Sequence, residues 1–356
     1  MTTKVRLDKA VPFVERVLKK QLVPMLHGSP AIGKSDIMRA IALKFNLLLI
    51  DVRLSTYDPA DMNGLPYFNT SGARNIAEYI PFDVFPIEGD ELPTIKDAQG
   101  NVTHTYNGWL VLLDELPSAA PSVQAAAFKL ILDKMVGQRK LHSRALLAAA
   151  GNLEDDGAIV NPLPTPLQSR MINFLVHTDL ECFMKYALKQ GIDYRIAAFL
   201  EFKPDYVHQF NPDHDDLTFA APRTWMFLDK LIRGERIEDH DLPLIGGCVS
   251  SGVGAEFMAF CKVFDSIPKL ADIIADPMKA HCPDSDDNPS LVYALAGSLA
   301  QHATDKNIDK LVPYIERMDM EYQVITFRHI LARDMKLASH TAMTDWIKRN
   351  SSQIWH

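Results

Sequence analysis

The residues best suited to chemistry lie in two short runs. The first is GSPAIGKS, made of Gly28, Ser29, Pro30, Ala31, Ile32, Gly33, Lys34 and Ser35, which fits the pattern G-x-x-x-x-G-K-[ST]. Glycines at Gly28 and Gly33 let the backbone curl so that successive N–H groups converge on phosphate oxygens. A helix that follows adds the partial positive charge of its N-terminus. Lys34 then reaches the β- and γ-phosphates of ATP, and the Ser35 hydroxyl can ligate Mg²⁺. The second run is WLVLLDELP, Trp109 to Pro117, where an apolar segment ends in two acids. At the carboxyl end of a strand, where open α/β sheets bind ligands, Asp114 can hold the magnesium ion through a water. Glu115 can orient or deprotonate an attacking water, a general-base task that points to hydrolysis rather than binding alone. Taken singly, paired acids after a strand also serve as helix N-caps, and a glycine-containing turn can match the first pattern by chance. The two runs together carry the reading.

Three further residues fit the same chemistry. Asn152 ends LLAAAGN, Leu146 to Asn152, and its amide can hydrogen-bond both a γ-phosphate and the attacking water; a plain Gly-Asn turn is the alternative. Arg170, in PLPTPLQSRM, precedes a strand. Inserted from a neighbouring subunit, its guanidinium could stabilise charge on the transferring phosphoryl group; a surface ion pair is the alternative. Arg223, in AAPRTW, begins a helix and could reach the γ-phosphate of its own subunit, or be an ordinary first-turn arginine.

The elements around these residues must place them. Residues 9–20 have helical spacing, Leu22 to Leu26 is an apolar run, Asp36 to Phe45 is helical, and Leu47 to Val52 is a continuous apolar strand. After a long polar stretch from Asp58 to Gly108, strands are expected at Trp109 to Leu113, Ala145 to Ala150 and Met171 to Val176, with a helix over Ser122 to Met135. Unbroken apolar strands of this kind are expected to be buried on both faces, as in a parallel sheet. The stretch 58–108 is too long for a bare connection and should hold its own hairpin or helix, with turn tips at Asn69 to Asn75 and Asp97 to Asn101. From Leu180 onward the pattern is helical, apart from a polar loop over Pro204 to Asp216. The expected division is an α/β nucleotide-binding core over 1–178, a helical lid over 179–233 and a helical extension over 234–356.

Composition narrows the function classes. The 356 residues are 47% hydrophobic and 23% charged, an ordinary globular balance. A net charge of -8 opposes broad binding to nucleic acid or to anionic membrane. No apolar run approaches the roughly 18 residues needed to span a bilayer. The first twenty residues are charged throughout, and the four cysteines form no C-x-x-C pair, so a cytoplasmic protein is expected. Arg139 and Lys140 could sit on a pore-facing hairpin or a plain solvated turn. The segments His214 to Asp216 and His281 to Asp287 read as loops rather than metal sites, since neither has a second ligand cluster at a recognisable spacing.

In their order along the chain, from Val11 to Arg233, these motifs resemble the AAA+ ATPase superfamily. Within it the chain is similar to the MoxR group, which carries an insertion where this chain has Asp58 to Gly108. DPADMNGLP, Asp58 to Pro66, resembles the opening of that insertion. PLPTPLQSR resembles the arginine-finger region of MoxR proteins and clamp-loader subunits, and APRTW resembles the sensor-2 turn at the start of a lid helix. The resemblance implies a parallel αβα P-loop core, a homo-oligomeric ring that is usually hexameric, ATP between subunits, and remodelling of a protein client, often with a partner carrying a von Willebrand A domain. It also implies roles for Arg170 in trans and Arg223 in cis. The chain departs from the group in a short hairpin before the Asn152 strand and in the unmatched region after Arg233. A nucleic-acid motor or clamp-loader-like ATPase is the alternative, suggested by the Gln168-Ser169-Arg170 turn. A nucleotide-gated scaffold without turnover is a third.

Overall fold

Val23 to Leu26 and Trp109 to Leu113 are apolar at every position, and both become central strands of one sheet. The structure is a computed structural model in which residues 3–70, 75–156, 161–213 and 215–354 are described. The chain divides into two compact units, residues 1–178 with 211–213, and residues 179–210 with 214–356.

The first unit begins with β1 (Lys4–Arg6), α1 (Leu7–Lys19), β2 (Val23–His27), α2 (Lys34–Lys44) and β3 (Leu48–Arg53). It continues through α3 (Pro59–Asn63), β4 (Leu65–Asn69), β5 (Ile76–Ile80), β6 (Thr94–Lys96), β7 (Val102–Thr105) and β8 (Trp109–Asp114). It closes with α4 (Pro121–Asp133), β9 (Met135–Val136), β10 (Arg139–Lys140), β11 (Ala145–Gly151), α5 (Thr165–Gln168) and β12 (Met171–His177). Six strands form one sheet in the order β1-β12-β2-β11-β8-β3, and every pairing is parallel. This is the expected parallel αβα class. Met25, Val111, Leu113, Leu147 and Ala149 pack on one face with Val123, Ala127 and Leu130 of α4. Leu26, Leu110, Leu112 and Ala148 alternate with them onto the other face and are equally buried.

One strand expectation changes, and one strand was not expected. β3 is not buried on both faces: it is the edge strand, and only Val52 of its six residues is buried. Its apolar run faces partly to solvent because strand order, not composition, decides which strands are covered. β1 pairs with the last residues of β12 and extends the sheet by a strand that its charged sequence did not suggest. The stretch 58–108 holds more than one small element: α3 and two separate hairpins, β4 with β5 and β6 with β7. The turn expected over Asp97 to Asn101 is present, closed by Asp97 N–H to Asn101 O at 2.9 Å. Of the turn expected over Asn69 to Asn75, residues 71–74 lie outside the described residues. β9 and β10 form the short hairpin that carries Arg139 and Lys140.

The second unit is helical, with α6 (Leu180–Ala187), α7 (Tyr194–Phe202), α8 (Pro222–Ile232), α9 (Leu242–Val249), α10 (Ser251–Val263), α11 (Leu270–Ala275), α12 (Pro289–His302), α13 (Ile308–Ile315), α14 (Met320–Arg333) and α15 (Thr341–Ile354). Helices on both sides of Arg233 build one core, in which Trp225 of α8 packs against Phe257 of α10 at 5.9 Å between ring centres. A second core joins α11 to α15. The expected polar loop over Pro204 to Asp216 contains a single 3-10 turn at Pro204–Val207, and His214 lies outside the described residues. None of the four cysteines is in a disulfide. Among the described residues no group of three or more His, Cys, Asp or Glu is arranged to hold a metal, and no helix is long and apolar enough to cross a membrane.

Candidate nucleotide site

The phosphate loop leaves the end of β2 and enters the first turn of α2, with Gly33 as N-cap. Gly33 sits at φ 100°, a left-handed conformation that glycine adopts without strain. Gly28 is needed for a different reason. A Cβ there would stand 2.6 Å from the Val176 carbonyl oxygen of β12 and 2.9 Å from Ile32 Cδ1. Ala31 also holds a positive φ, 62°, so the loop stores local strain at a non-glycine residue. These turns put Lys34 and Ser35 at the positive end of α2.

Lys34 is only 8% exposed, and a lysine so covered needs partners for its ammonium donors. Its Nζ donates to Gly28 O at 2.7 Å, to Ser29 O at 2.8 Å and to Asn152 Oδ1 at 3.0 Å. Asn152 follows β11, the strand beside β2, so parallel pairing alone brings it to the lysine. With Oδ1 engaged, the Asn152 amide NH₂ is the group that can donate to a phosphate oxygen or to water.

Asp114 ends β8, one strand further along, and is also 8% exposed. Its Oδ2 accepts from Ser35 Oγ at 2.7 Å, and its Oδ1 accepts from the Glu115 N–H at 2.9 Å. A hydroxyl and a carboxylate in contact, both on rigid elements, are the hard oxygen donors that magnesium prefers. The donor set therefore fits the ion.

Glu115 adopts φ 57°, unusual for a glutamate, and this turns its side chain out of the strand. Its carboxylate accepts a hydrogen bond from Ser55 Oγ, and Arg53 Nε stands 3.9 Å from Oε1. The side chain is 37% exposed, enough for water to reach it. On β3, Asp51 faces the same acidic cluster. Although Asp51 lies at the surface, partial desolvation and then the charge of Asp114 push its carboxyl above the ordinary range, against the opposing pull of Arg53 and Arg39.

The structure thus brings together the phosphate loop, Asp114, Glu115 and Asn152. It places Arg170 elsewhere. Met171 of β12 pairs with Val23 at the start of β2, and Leu175 pairs with His27 at its end. Arg170 therefore lies at the opposite end of the strands from its own phosphate loop, about 17 Å of strand away. It is exposed, and its side chain has no hydrogen bond or ion pair among the described residues. Arg223 is exposed on the first turn of α8, in the second unit.

Sequence reasoning missed Ser55, Arg53, Asp51 and Asp156. The Asp156 Oδ1 accepts from Ser29 Oγ at 3.1 Å. None of the four belongs to a short motif. Their one signal is position just after, or late in, a strand whose carboxyl end meets the site.

No protein-family model matches this chain, and no curated protein matches it. Solved structures similar to it include NtrX from Brucella abortus, at 15% identity over 66% of this chain with a TM-score of 0.33. The match spans 51% of that NtrX chain, about half its length. NtrX from the same organism in complex with ADP matches at 13% identity over 99% of this chain and 69% of that one, with a TM-score of 0.36. A protein described as an ATPase, from Cytophaga hutchinsonii, matches at 12% identity over 98% of this chain and 90% of that one, with a TM-score of 0.35. Scores this low carry no argument about activity, which rests on the site itself.

Proposed function

We propose that this protein is a magnesium-dependent ATPase of the AAA+ kind, similar to the MoxR group, that acts as a ring of copies on a protein client in the cytoplasm. One observation carries the reading. Residues far apart in sequence, Lys34 and Ser35 from α2, Asp114 at the end of β8 with Glu115 next to it, and Asn152 just after β11, converge at the carboxyl ends of adjacent parallel strands.

Each residue then has a task. Backbone N–H groups of the loop and the Lys34 ammonium bind the β- and γ-phosphates of ATP. Ser35 and Asp114 would hold magnesium, which when bound neutralises charge on the phosphate oxygens. Glu115 takes a proton from a water whose oxygen attacks the γ-phosphorus, while the bond from phosphorus to the bridging oxygen of ADP breaks. Asn152 donates to a γ-phosphate oxygen or to that water. Arg170, at the end of β12 remote from its own loop, serves the site of a neighbouring copy, and that placement is what supports the reading of a ring. Arg223 reads the γ-phosphate in its own copy. The hairpins of 58–108 and the β9–β10 hairpin are the elements to act on the client, and a protein carrying a von Willebrand A domain is the partner class the MoxR resemblance suggests.

The test is release of phosphate from ATP by the purified chain, with magnesium and with a chelator. Magnesium-dependent release that Lys34→Ala abolishes supports the reading. Release unchanged in Lys34→Ala, or absent at millimolar ATP, overturns it. Turnover stimulated by DNA with steep salt dependence would instead indicate a nucleic-acid motor.

A further inference from the structure

The phosphate loop is tied to the end of β11 and the segment after it at three places. Gly28 N–H donates to Gly151 O at 3.3 Å, Lys34 Nζ to Asn152 Oδ1 at 3.0 Å, and Ser29 Oγ to Asp156 Oδ1 at 3.1 Å. The first joins two backbone groups, and the second joins the motif lysine to the strand-end amide. The third involves a carboxylate that no motif requires. Its second oxygen, Oδ2, accepts from the Leu153 N–H at 3.0 Å, and the Asp156 N–H donates back to Leu153 O at 3.2 Å. One side chain thus closes the turn that follows Asn152 and grips the phosphate loop at the same time.

A carboxylate beside a triphosphate site is electrostatically unfavourable, since like charges oppose each other at short range. A short forked side chain with two polar atoms makes both contacts from this position. We propose that Asp156 is a positioning residue, a clamp that sets the Asn152 amide relative to the phosphate loop through Ser29. The proposal rests on the ATPase reading above. Asp156 touches no reacting atom. It works by holding the turn after β11 in register with Lys34, where a displacement of about 1 Å can lower a rate by about 100-fold.

The clamp makes a divided prediction. Asp156→Ala should lower kcat by about 10- to 100-fold. It should leave nucleotide affinity unchanged or tighter, because a negative charge near the phosphates is removed. Asp156→Asn can accept from the Leu153 N–H and donate its NH₂ to Ser29 Oγ, and should recover most of kcat. Ser29→Ala removes the other half of the contact and should lower kcat to a similar degree. The double variant Ser29→Ala/Asp156→Ala should be no slower than the slower single variant, as expected for residues acting as one unit.

The experiment is steady-state phosphate release with Mg·ATP for wild type, these four variants and Lys34→Ala, together with hydrogen exchange at the Gly28 amide. If wild type turns over and Lys34→Ala does not, the ATPase reading stands. Asp156→Ala and Ser29→Ala both within twofold of wild-type kcat, or additive losses in the double variant, then overturn the clamp alone. If wild type releases no phosphate, the ATPase reading falls and exchange decides the clamp. Faster exchange at Gly28 in Asp156→Ala, restored in Asp156→Asn, supports it. Exchange unchanged from wild type overturns it.

Discussion

Ser35 Oγ donates a 2.7 Å hydrogen bond to Asp114 Oδ2, joining the first turn of α2 to the last residue of β8. The two oxygens share one small polar spot at the mouth of the sheet, where a hard cation would be held. Ser35→Ala and Asp114→Asn should each lower turnover by about 100-fold or more. Both should also move the magnesium dependence to higher concentration. A magnesium titration of phosphate release checks this, and an unchanged midpoint in both variants counts against the assigned metal residues.

Glu115→Gln should lower kcat by about 100- to 10,000-fold, the range for loss of a general base. Nucleotide affinity should stay near that of wild type, since Glu115 contacts Ser55 and Arg53 rather than the phosphate loop. Single-turnover measurement on pre-bound ATP separates the two effects. Wild-type turnover in the variant would remove Glu115 from the mechanism.

Arg170→Ala should abolish turnover and leave binding roughly intact, because Arg170 is a strand length from its own loop. Mixing this variant with Lys34→Ala should restore part of the activity. Mixed assemblies then contain sites with an intact loop from one copy and an intact arginine from the next. Absence of rescue across all mixing ratios argues against action between copies.

Gly28→Ala should be destabilising by about 1–3 kcal/mol, as for overpacking of a close contact. The added Cβ meets the Val176 carbonyl oxygen at 2.6 Å, and backbone on both sides must shift. The thermal midpoint should drop, and nucleotide binding should weaken with it. A midpoint equal to that of wild type contradicts the close packing of the loop on β12.

Asp51 supplies a pH-dependent prediction. Partial desolvation and the charge of Asp114 raise its carboxyl above the ordinary range. The folded chain therefore keeps this proton where the unfolded chain has lost it, and the Asp51 contribution to stability falls as pH rises through that window. Asp51→Asn removes the loss, so the thermal midpoint should rise near neutral pH. The gain should vanish below about pH 3, where the carboxyl is protonated in both states. A gain of equal size at both pH values indicates a cause other than charge.

The core of the candidate site was legible because its motifs are local. Lys34 and Ser35 follow a glycine turn, Asp114 and Glu115 end an apolar run, and Asn152 ends a run of small residues. Such patterns mark strand ends directly, and a parallel sheet brings strand ends to one side. What was not legible depends on which strands are neighbours. Ser55 meets Glu115 because β3 lies beside β8, and Asp156 meets Ser29 because β11 lies beside β2. The exposure of β3 has the same origin, since Leu48 to Ile50 read as apolar wherever the strand is placed. β1 escaped notice because Lys4, Val5 and Arg6 offer one apolar residue, and its pairing with β12 is a tertiary fact. Even the motif was only partly explained by its letters: Gly33 serves backbone conformation, whereas Gly28 serves clearance from β12.

The most direct measurement is calorimetric titration of Mg·ATP into Glu115→Gln, which keeps the loop, the lysine and the metal residues while removing the base. Saturable uptake of one nucleotide per chain, lost when Lys34→Ala is added, is the expected result. No heat of binding at millimolar Mg·ATP, or uptake indifferent to Lys34, would contradict the assignment of this cluster as a triphosphate site.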